Sequence, residues 1–257
     1  MIKGLYTSAL GMMTMMRKMD VTADNIANAN TTGFKKDRVA TRSFTEELLK
    51  RLDDPGDRPY HDVPMGRISQ GVFVDDIYTD FTGAGFRQTS APLDLAISGS
   101  GFFCVSHADK TGQSSEMYTR DGSFTLGGDG LLLTKEGNPV LGLNGMITVP
   151  PGNITVLEDG SIFSNDVYVD KLKMTDFSNA HELRKQGNNL FSATNRALQV
   201  DFKGSVQTGF LENSNVNAIT EMTEMINISR AYESNQRLIT IHDAILNRVA
   251  NDIGRKV

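Results

Sequence analysis

The sequence predicts an α+β protein, with an antiparallel β-rich central domain flanked by N- and C-terminal helices that pair as a coiled coil. Three observations carry this. Apolar residues recur at alternating spacings of three and four near both ends of the 257-residue chain. Short strand-like runs punctuated by Gly, Asp and Asn fill the middle. Neither terminal stripe can bury itself alone, so each needs a partner. The pattern divides the chain into an N-terminal helix over 1–34, a charged linker or extension over 35–70, a β-rich domain over 71–211 and a C-terminal helix over 212–257.

The first stripe is Ile2, Leu5, Ala9, Met12, Met16, Met19, Ala23 and Ile26. Five of the 12 methionines (Met12, Met13, Met15, Met16, Met19) crowd into this stretch. Met is flexible and polarizable, so such a face suits neighbours that are not identical. Lys3 followed by mainly uncharged residues to Met16 imitates a signal peptide, but Thr7, Ser8, Gly11 and Thr14 dilute its centre. No A-x-A-like site follows, and the heptad continues past Arg17 to Ile26. Any route out of the cytoplasm is therefore expected to bypass the general secretory signal. The helix should end at Asn28-Ala29-Asn30-Thr31-Thr32-Gly33, where poor helix formers gather and Gly33 can take a left-handed conformation.

From Lys35 to Asp62 the chain is strongly charged, and a helix over Ser43 to Leu52 is expected, capped by Ser43 opposite Glu46. Asp53 to Pro59 is a loop by composition. Strands are expected near 72–78, 93–97, 102–106, 117–120, 123–126, 131–134, 154–157, 167–177 and 206–210. Asp121-Gly122 and Asp129-Gly130 give tight-turn signals between them.

The last helix should begin after Asn213-Ser214-Asn215-Val216-Asn217, with Asn217 as its N-cap and Glu221 and Glu224 where the helix dipole favours negative charge. Its stripe is Met225, Ile228, Tyr232, Asn235, Ile239, His242, Leu246, Val249 and Ile253, apolar at all but Asn235 and His242. Those two polar positions read as register markers, since a buried polar seam residue favours one alignment of two helices over others.

Composition excludes several functions. Net charge is −5, from 26 basic and 31 acidic residues with no extended basic run, so neither a nucleic-acid groove nor an anionic membrane surface is an expected partner. No run approaches the about 18 apolar residues of a membrane span. A single cysteine, Cys104, rules out an internal disulfide, and His61, His107, His181 and His242 lack any paired metal-ligand spacing. Ile97 to Gly101 lacks the first glycine of a nucleophile elbow, and Gly127 to Gly130 lacks the Lys and helix of a phosphate loop. Asp75, Asp76 and Asp80 read as a solvated strand edge instead of a calcium site. No catalytic residue, cofactor, metal or small-molecule substrate is expected.

Residues Met19 to Lys35, which include Asp-Asn-Ile-Ala-Asn at 24–28 and Thr-Thr-Gly-Phe-Lys at 31–35, resemble the N-terminal signature of the bacterial flagellar rod and hook proteins. Gly209 to Asn217, Glu221 to Ile226 and Ser229 to Asn235 resemble the matching C-terminal signature. Pro92 to Phe103 and Tyr118 to Phe124 are similar to the β-domain of the same group, so the resemblance covers nearly the whole chain. A length near that of a rod protein, with one β-domain, sets it apart from the longer hook protein.

The resemblance implies a structural subunit of the flagellar drive shaft, in the basal body of the cell envelope, exported through the flagellar type III apparatus and polymerised with itself and with other rod and hook proteins. Repeated heterologous contacts about a screw axis give an open filament. The implied assembly interface comprises the two stripes and the signature residues: Leu5, Met12, Met16, Met19, Asn25, Ile26, Asn28, Gly33 and Phe34 at one end, and Asn215, Asn217, Met225, Ile228, Tyr232, Asn235, Ile239, His242 and Leu246 at the other. A monomeric secreted binder or adhesin with a coiled-coil stalk is the competing expectation.

Overall fold

The computed structural model describes residues 2–44, 47–51, 63–108 and 114–254. They sort into two compact units: Met1–Ile26, Asp37–Tyr78 and Ala218–Val257 form one, and Ala27–Lys36 with Thr79–Asn217 the other.

The first unit contains both long helices. Helix α1 spans Ile2–Ala27 and ends just before Asn28, as the run of poor helix formers requires. Helix α2 spans Ala218–Gly254, starting directly after Asn217. Their 26 and 37 residues correspond to about 39 and 55 Å at about 1.5 Å per residue, so α1 cannot cover all of α2. The helices run antiparallel, because Gly4 lies against His242 and Gly11 against Asn235. A β-carbon on Gly4 would stand 2.8 Å from Nε2 of His242, and one on Gly11 would stand 3.2 Å from the Asn235 amide.

A different face of α1 meets the chain at 70–72. The Thr7 hydroxyl sits 3.0 Å from the Gln70 carbonyl oxygen, and the Thr14 hydroxyl 3.0 Å from that of Val72. Leu10 fills the space above Gly71, where a β-carbon would come within 2.8 Å of its Cδ1. The Val72–Thr79 strand pairs with Asp37–Ser43 in a two-stranded sheet. Beside it Phe44 packs edge-on against Phe73, with ring centres 5.2 Å apart.

Glu47–Arg51 is a strand antiparallel to Val63–Ile68, where a helix over Ser43 to Leu52 is expected from sequence. Glu, Leu and Lys are good helix formers, but a segment this short cannot sustain an isolated helix, and a pairing strand overrides the local preference. Leu52 and the expected Asp53 to Pro59 loop lie outside the described residues.

The second unit is built on a six-stranded antiparallel sheet in the order Leu183–Gly187, Leu190–Ala193, Ser114–Thr119, Phe102–Ala108, Met174–Phe177, Gln199–Asp201. Both faces are covered. Along Phe102–Ala108 the side chains alternate, Phe103 and Val105 joining a core with Leu95, Leu132, Val140 and Ile162, while Phe102 and Cys104 join a second core with Tyr118, Phe177 and Phe191. This is why the strand reads as an unbroken apolar run. Burial pushes the Cys104 thiol up to about 12 and, with Glu116 nearby, the Tyr118 phenol up to about 12 as well.

Asp129-Gly130 does lie in the hairpin joining Phe124–Leu126 to Leu132–Thr134, with Gly130 at φ +76°. Asp121-Gly122 does not close a hairpin, because the strands on either side pair elsewhere. Gly122 instead lets the backbone press against Leu95, whose carbonyl oxygen a β-carbon would strike. The single strand expected over 167–177 is two, Val167–Lys171 and Met174–Phe177, which belong to different sheets.

Candidate assembly interface

The two signature segments, remote in sequence, meet inside the second unit. After α1 the backbone turns at Asn28, whose side-chain oxygen accepts a 3.1 Å bond from the Thr31 hydroxyl. Gly33 follows at φ +65°, and a β-carbon there would run into the Arg120 carbonyl. Its N–H donates to the Glu212 carbonyl at 2.8 Å. Asn215 then binds both sides of the junction: its side-chain oxygen accepts from the Lys36 N–H at 2.8 Å, and its amide nitrogen donates to the Asp80 carbonyl at 2.7 Å. Phe34 is buried under Lys185, whose Nζ lies 3.8 Å from the ring centre and donates to the Lys35 carbonyl.

At the centre of this junction lies a buried charge cluster. Lys35 Nζ contacts Glu212 Oε1 at 2.6 Å and donates to the Thr82 carbonyl at 2.9 Å. Arg120 approaches the other Glu212 oxygen at 3.4 Å and donates to the Gly99 carbonyl at 2.9 Å, its guanidinium 5.2 Å from the centre of the Phe102 ring. Burial pulls the Lys35 ammonium and the Arg120 guanidinium below their usual ranges, and the Glu212 carboxylate opposes it in both cases. One carboxylate thus serves two buried cations. Arg120 Nε has no hydrogen-bond partner among the described residues.

Lys35, Arg120 and Glu212 are the residues that reasoning from the stripes overlooks. Their signal was present: each is a charge set among turn or apolar residues inside one of the quoted motifs, and almost never are such residues fully buried unless paired.

In the first unit, Asn25 is buried and closes the neck of the loop that follows α1, donating to the Asp37 carbonyl at 2.9 Å and accepting from the Asp37 N–H at 3.0 Å. On α2, Ile228 is buried, Met225, Tyr232, Asn235, Ile239 and His242 are half-buried, and Leu246 is exposed. On α1, Leu5, Met12, Met19 and Ile26 are half-buried while Met16 is 52% exposed. Gly4 and Gly11 of α1 are set against α2, and Thr7, Leu10 and Thr14 against Gln70–Val72, so small and polar residues make most of these contacts. Of the predicted set, Gly33, Phe34 and Asn215 come together in the second unit, and Asn217 stands exposed at the start of α2.

Comparison with known proteins finds family matches at both ends of the chain and in its β-rich middle. Residues 5–35 match the family described as flagella basal body rod protein, residues 96–164 the flagellar hook protein FlgE/F/G D1 domain, and residues 207–253 the flagellar basal body rod FlgEFG protein C-terminal region. The chain is 36% identical to the flagellar basal-body rod protein FlgF of Caulobacter vibrioides over 91% of each chain. It is 32% identical to the flagellar basal-body rod protein FlgG of Bacillus subtilis, over 98% of this chain and 99% of the relative. The flagellar hook-basal body complex protein FlhO of Bacillus subtilis is 29% identical over 99% of this chain and all of its own length. These are structural proteins, not enzymes. With both termini and the intervening β-domain accounted for, the chain belongs to the family of bacterial flagellar basal-body rod proteins.

Proposed function

We propose that this chain is a structural subunit of the bacterial flagellar rod, polymerising with copies of itself and with other rod and hook proteins into a helical drive shaft that transmits torque for swimming. The observation that carries this, beyond family membership, is that both terminal helices keep large apolar side chains in water. Met13 and Met16 on α1, and Met222, Ile226, Ile241 and Leu246 on α2, are all exposed. Exposed apolar surface on long helices is stabilised when a neighbour covers it. In this reading α1 and α2 pair as a coiled coil, the two stripes and the signature residues form the assembly interface, and both helices gain order when subunits join.

Export through the flagellum's own type III apparatus, to a place in the basal body, completes the reading. It is supported by α1 running unbroken through the stretch that imitates a signal peptide. The relatives give no support to a monomeric binder or adhesin. The test is negative-stain microscopy of basal bodies from a strain lacking the chain. Basal bodies truncated at the rod are expected, and complete rods in that strain would sink the reading. Amide exchange on the dilute full chain tests the ordering step, with weak protection of residues 5–25 expected before polymerisation.

A further inference from the structure

Five methionines crowd one stretch of α1, and their spacing sets Met16 at the centre of them. Met12 and Met13 stand four and three positions before it, Met15 one before and Met19 three after. Positions three and four apart on a helix are surface neighbours, with β-carbons about 5–6 Å apart. A helical side chain also leans towards the N-terminus, so Met16 lies back over the turn that carries Met12 and Met13. Those three occupy about 100° of the helix circumference. They lie on a side used neither by Gly4 and Gly11 against α2 nor by Thr7, Leu10 and Thr14 against Gln70–Val72. Met13 and Met16 are 65% and 52% exposed and Met12 is half-buried, so the group opens to solvent.

We infer that Met12, Met13 and Met16 form a binding site for a soft monovalent metal ion, Cu(I) or Ag(I), held by three thioether sulfurs. Thioethers are neutral, polarizable donors that select such ions over the hard cations favoured by carboxylate and carbonyl oxygens. The set holds no carboxylate, imidazole or thiolate, so zinc, calcium and magnesium find none of their usual donors in it. A filled d shell imposes no geometry of its own, and flexible methionine arms can close around the ion. Its charge meets little opposition, because Arg17, the nearest basic residue in sequence, has Asp20 at 3.9 Å. Elsewhere the closest spacing of this kind is Met222 with Met225 on α2, two sulfurs without a third. Cys104, the single thiol, is fully buried. The site belongs to α1 alone and stands or falls independently of the rod reading.

Two properties set such a site apart. A thioether carries no proton, so none is released when the ion binds. Affinity is therefore the same at about pH 5.5 and about pH 7.5, whereas a histidine site weakens as its imidazole takes up a proton. The three sulfurs also converge only while this turn is helical. The ion thus favours the ordered helix, and it should raise amide protection over residues 12–16.

The test is a titration of the full chain, its methionine methyl groups isotope-labelled, with silver nitrate in chloride-free buffer, followed by NMR. The methyl signals of Met12, Met13 and Met16 should move together, ahead of the other methionines, and stop at one Ag(I) per chain at both pH values. Zinc nitrate should move none of them. Leu nearly matches Met in volume and supplies no sulfur, so Met12→Leu with Met13→Leu and Met16→Leu should keep the fold and abolish this binding. Met16→Leu alone should weaken it at least about tenfold, since losing even a group that only supports a ligand costs about 10–100-fold. Met222→Leu with Met225→Leu should leave it unchanged. The site is overturned if these three signals stay still, if the triple variant binds as the unsubstituted chain does, if binding fades at the lower pH, or if it is lost with the α2 pair. Should far-UV circular dichroism show the triple variant unfolded, Met16→Leu decides, and an unaltered affinity in that variant overturns the site.

Discussion

Lys35 and Glu212 stand 177 residues apart in the chain, yet their side chains meet at 2.6 Å with 0% and 2% of their surface exposed. The pair ties the segment that leaves the N-terminal helix to the segment that enters the C-terminal one. A buried charge left without its partner costs about 3–5 kcal/mol. Glu212 is shared, so the cost is asymmetric. Glu212→Leu strands both Lys35 and Arg120 and should destabilise the second unit by at least about 3 kcal/mol, whereas Lys35→Met leaves Glu212 still facing Arg120 and should cost less. Urea unfolding of the full-length variants, followed by tyrosine fluorescence, measures both. Equal costs would mean that Arg120, at 3.4 Å, contributes nothing.

Gly33 gives a test of the same junction through the backbone. At φ +65° an L-residue pays roughly 1–2 kcal/mol, and here a β-carbon would also collide with the Arg120 carbonyl. Gly137 is the control, at φ +85° with open space around it. Gly137→Ala should lower stability by about 1 kcal/mol and Gly33→Ala by at least twice that. Similar losses at the two sites would show that the junction yields without strain.

Alkaline pH should unfold the second unit through Cys104 and Tyr118. Both acids have pKa values raised to about 12 by folding, from 9.0 and 10.0, so the unfolded chain releases these protons first. Their contribution to stability is complete below about pH 9. It falls as pH rises towards 12, by up to about 1.4 kcal/mol per pH unit for each group. Thermal melts from pH 8 to 11 should show the decline, and Cys104→Ala should flatten its onset near pH 9. A curve unchanged by that substitution would remove Cys104 from the account.

How much of this was legible in the sequence differs from one element to another. The stripe of α2 was legible only in part: Met225, Ile228, Tyr232, Asn235, Ile239 and His242 are buried or half-buried at helical spacing, whereas Leu246 and Val249, which continue it, are exposed. On α1 the apolar period was equally plain, but it did not say which face turns inward. Close approach of two helices favours small residues, and Gly4 and Gly11 make the notches into which His242 and Asn235 fit. Periodicity counts apolar residues and gives no weight to a missing side chain. The strand at Glu47–Arg51 was hidden for another reason, because its partner Val63–Ile68 lies further along the chain and local propensity carries no information about it. The Lys35–Glu212–Arg120 cluster is non-local in the same way.

Met16 separates folding from assembly. Its side chain is 52% exposed in the chain, so Met16→Asp removes little packing and should change the stability of the monomer by no more than about 0.5 kcal/mol. In the assembled rod the same aspartate would sit, desolvated and without a cation, in a contact between apolar stripes, where an unpaired charge costs several kcal/mol. A cell carrying Met16→Asp should therefore make a normally folded protein and few or no complete rods. Far-UV circular dichroism and melting temperature of the purified variant check the first half, and counts of intact basal bodies by microscopy check the second. Normal rods in those cells would show that this face of α1 lies outside the interface.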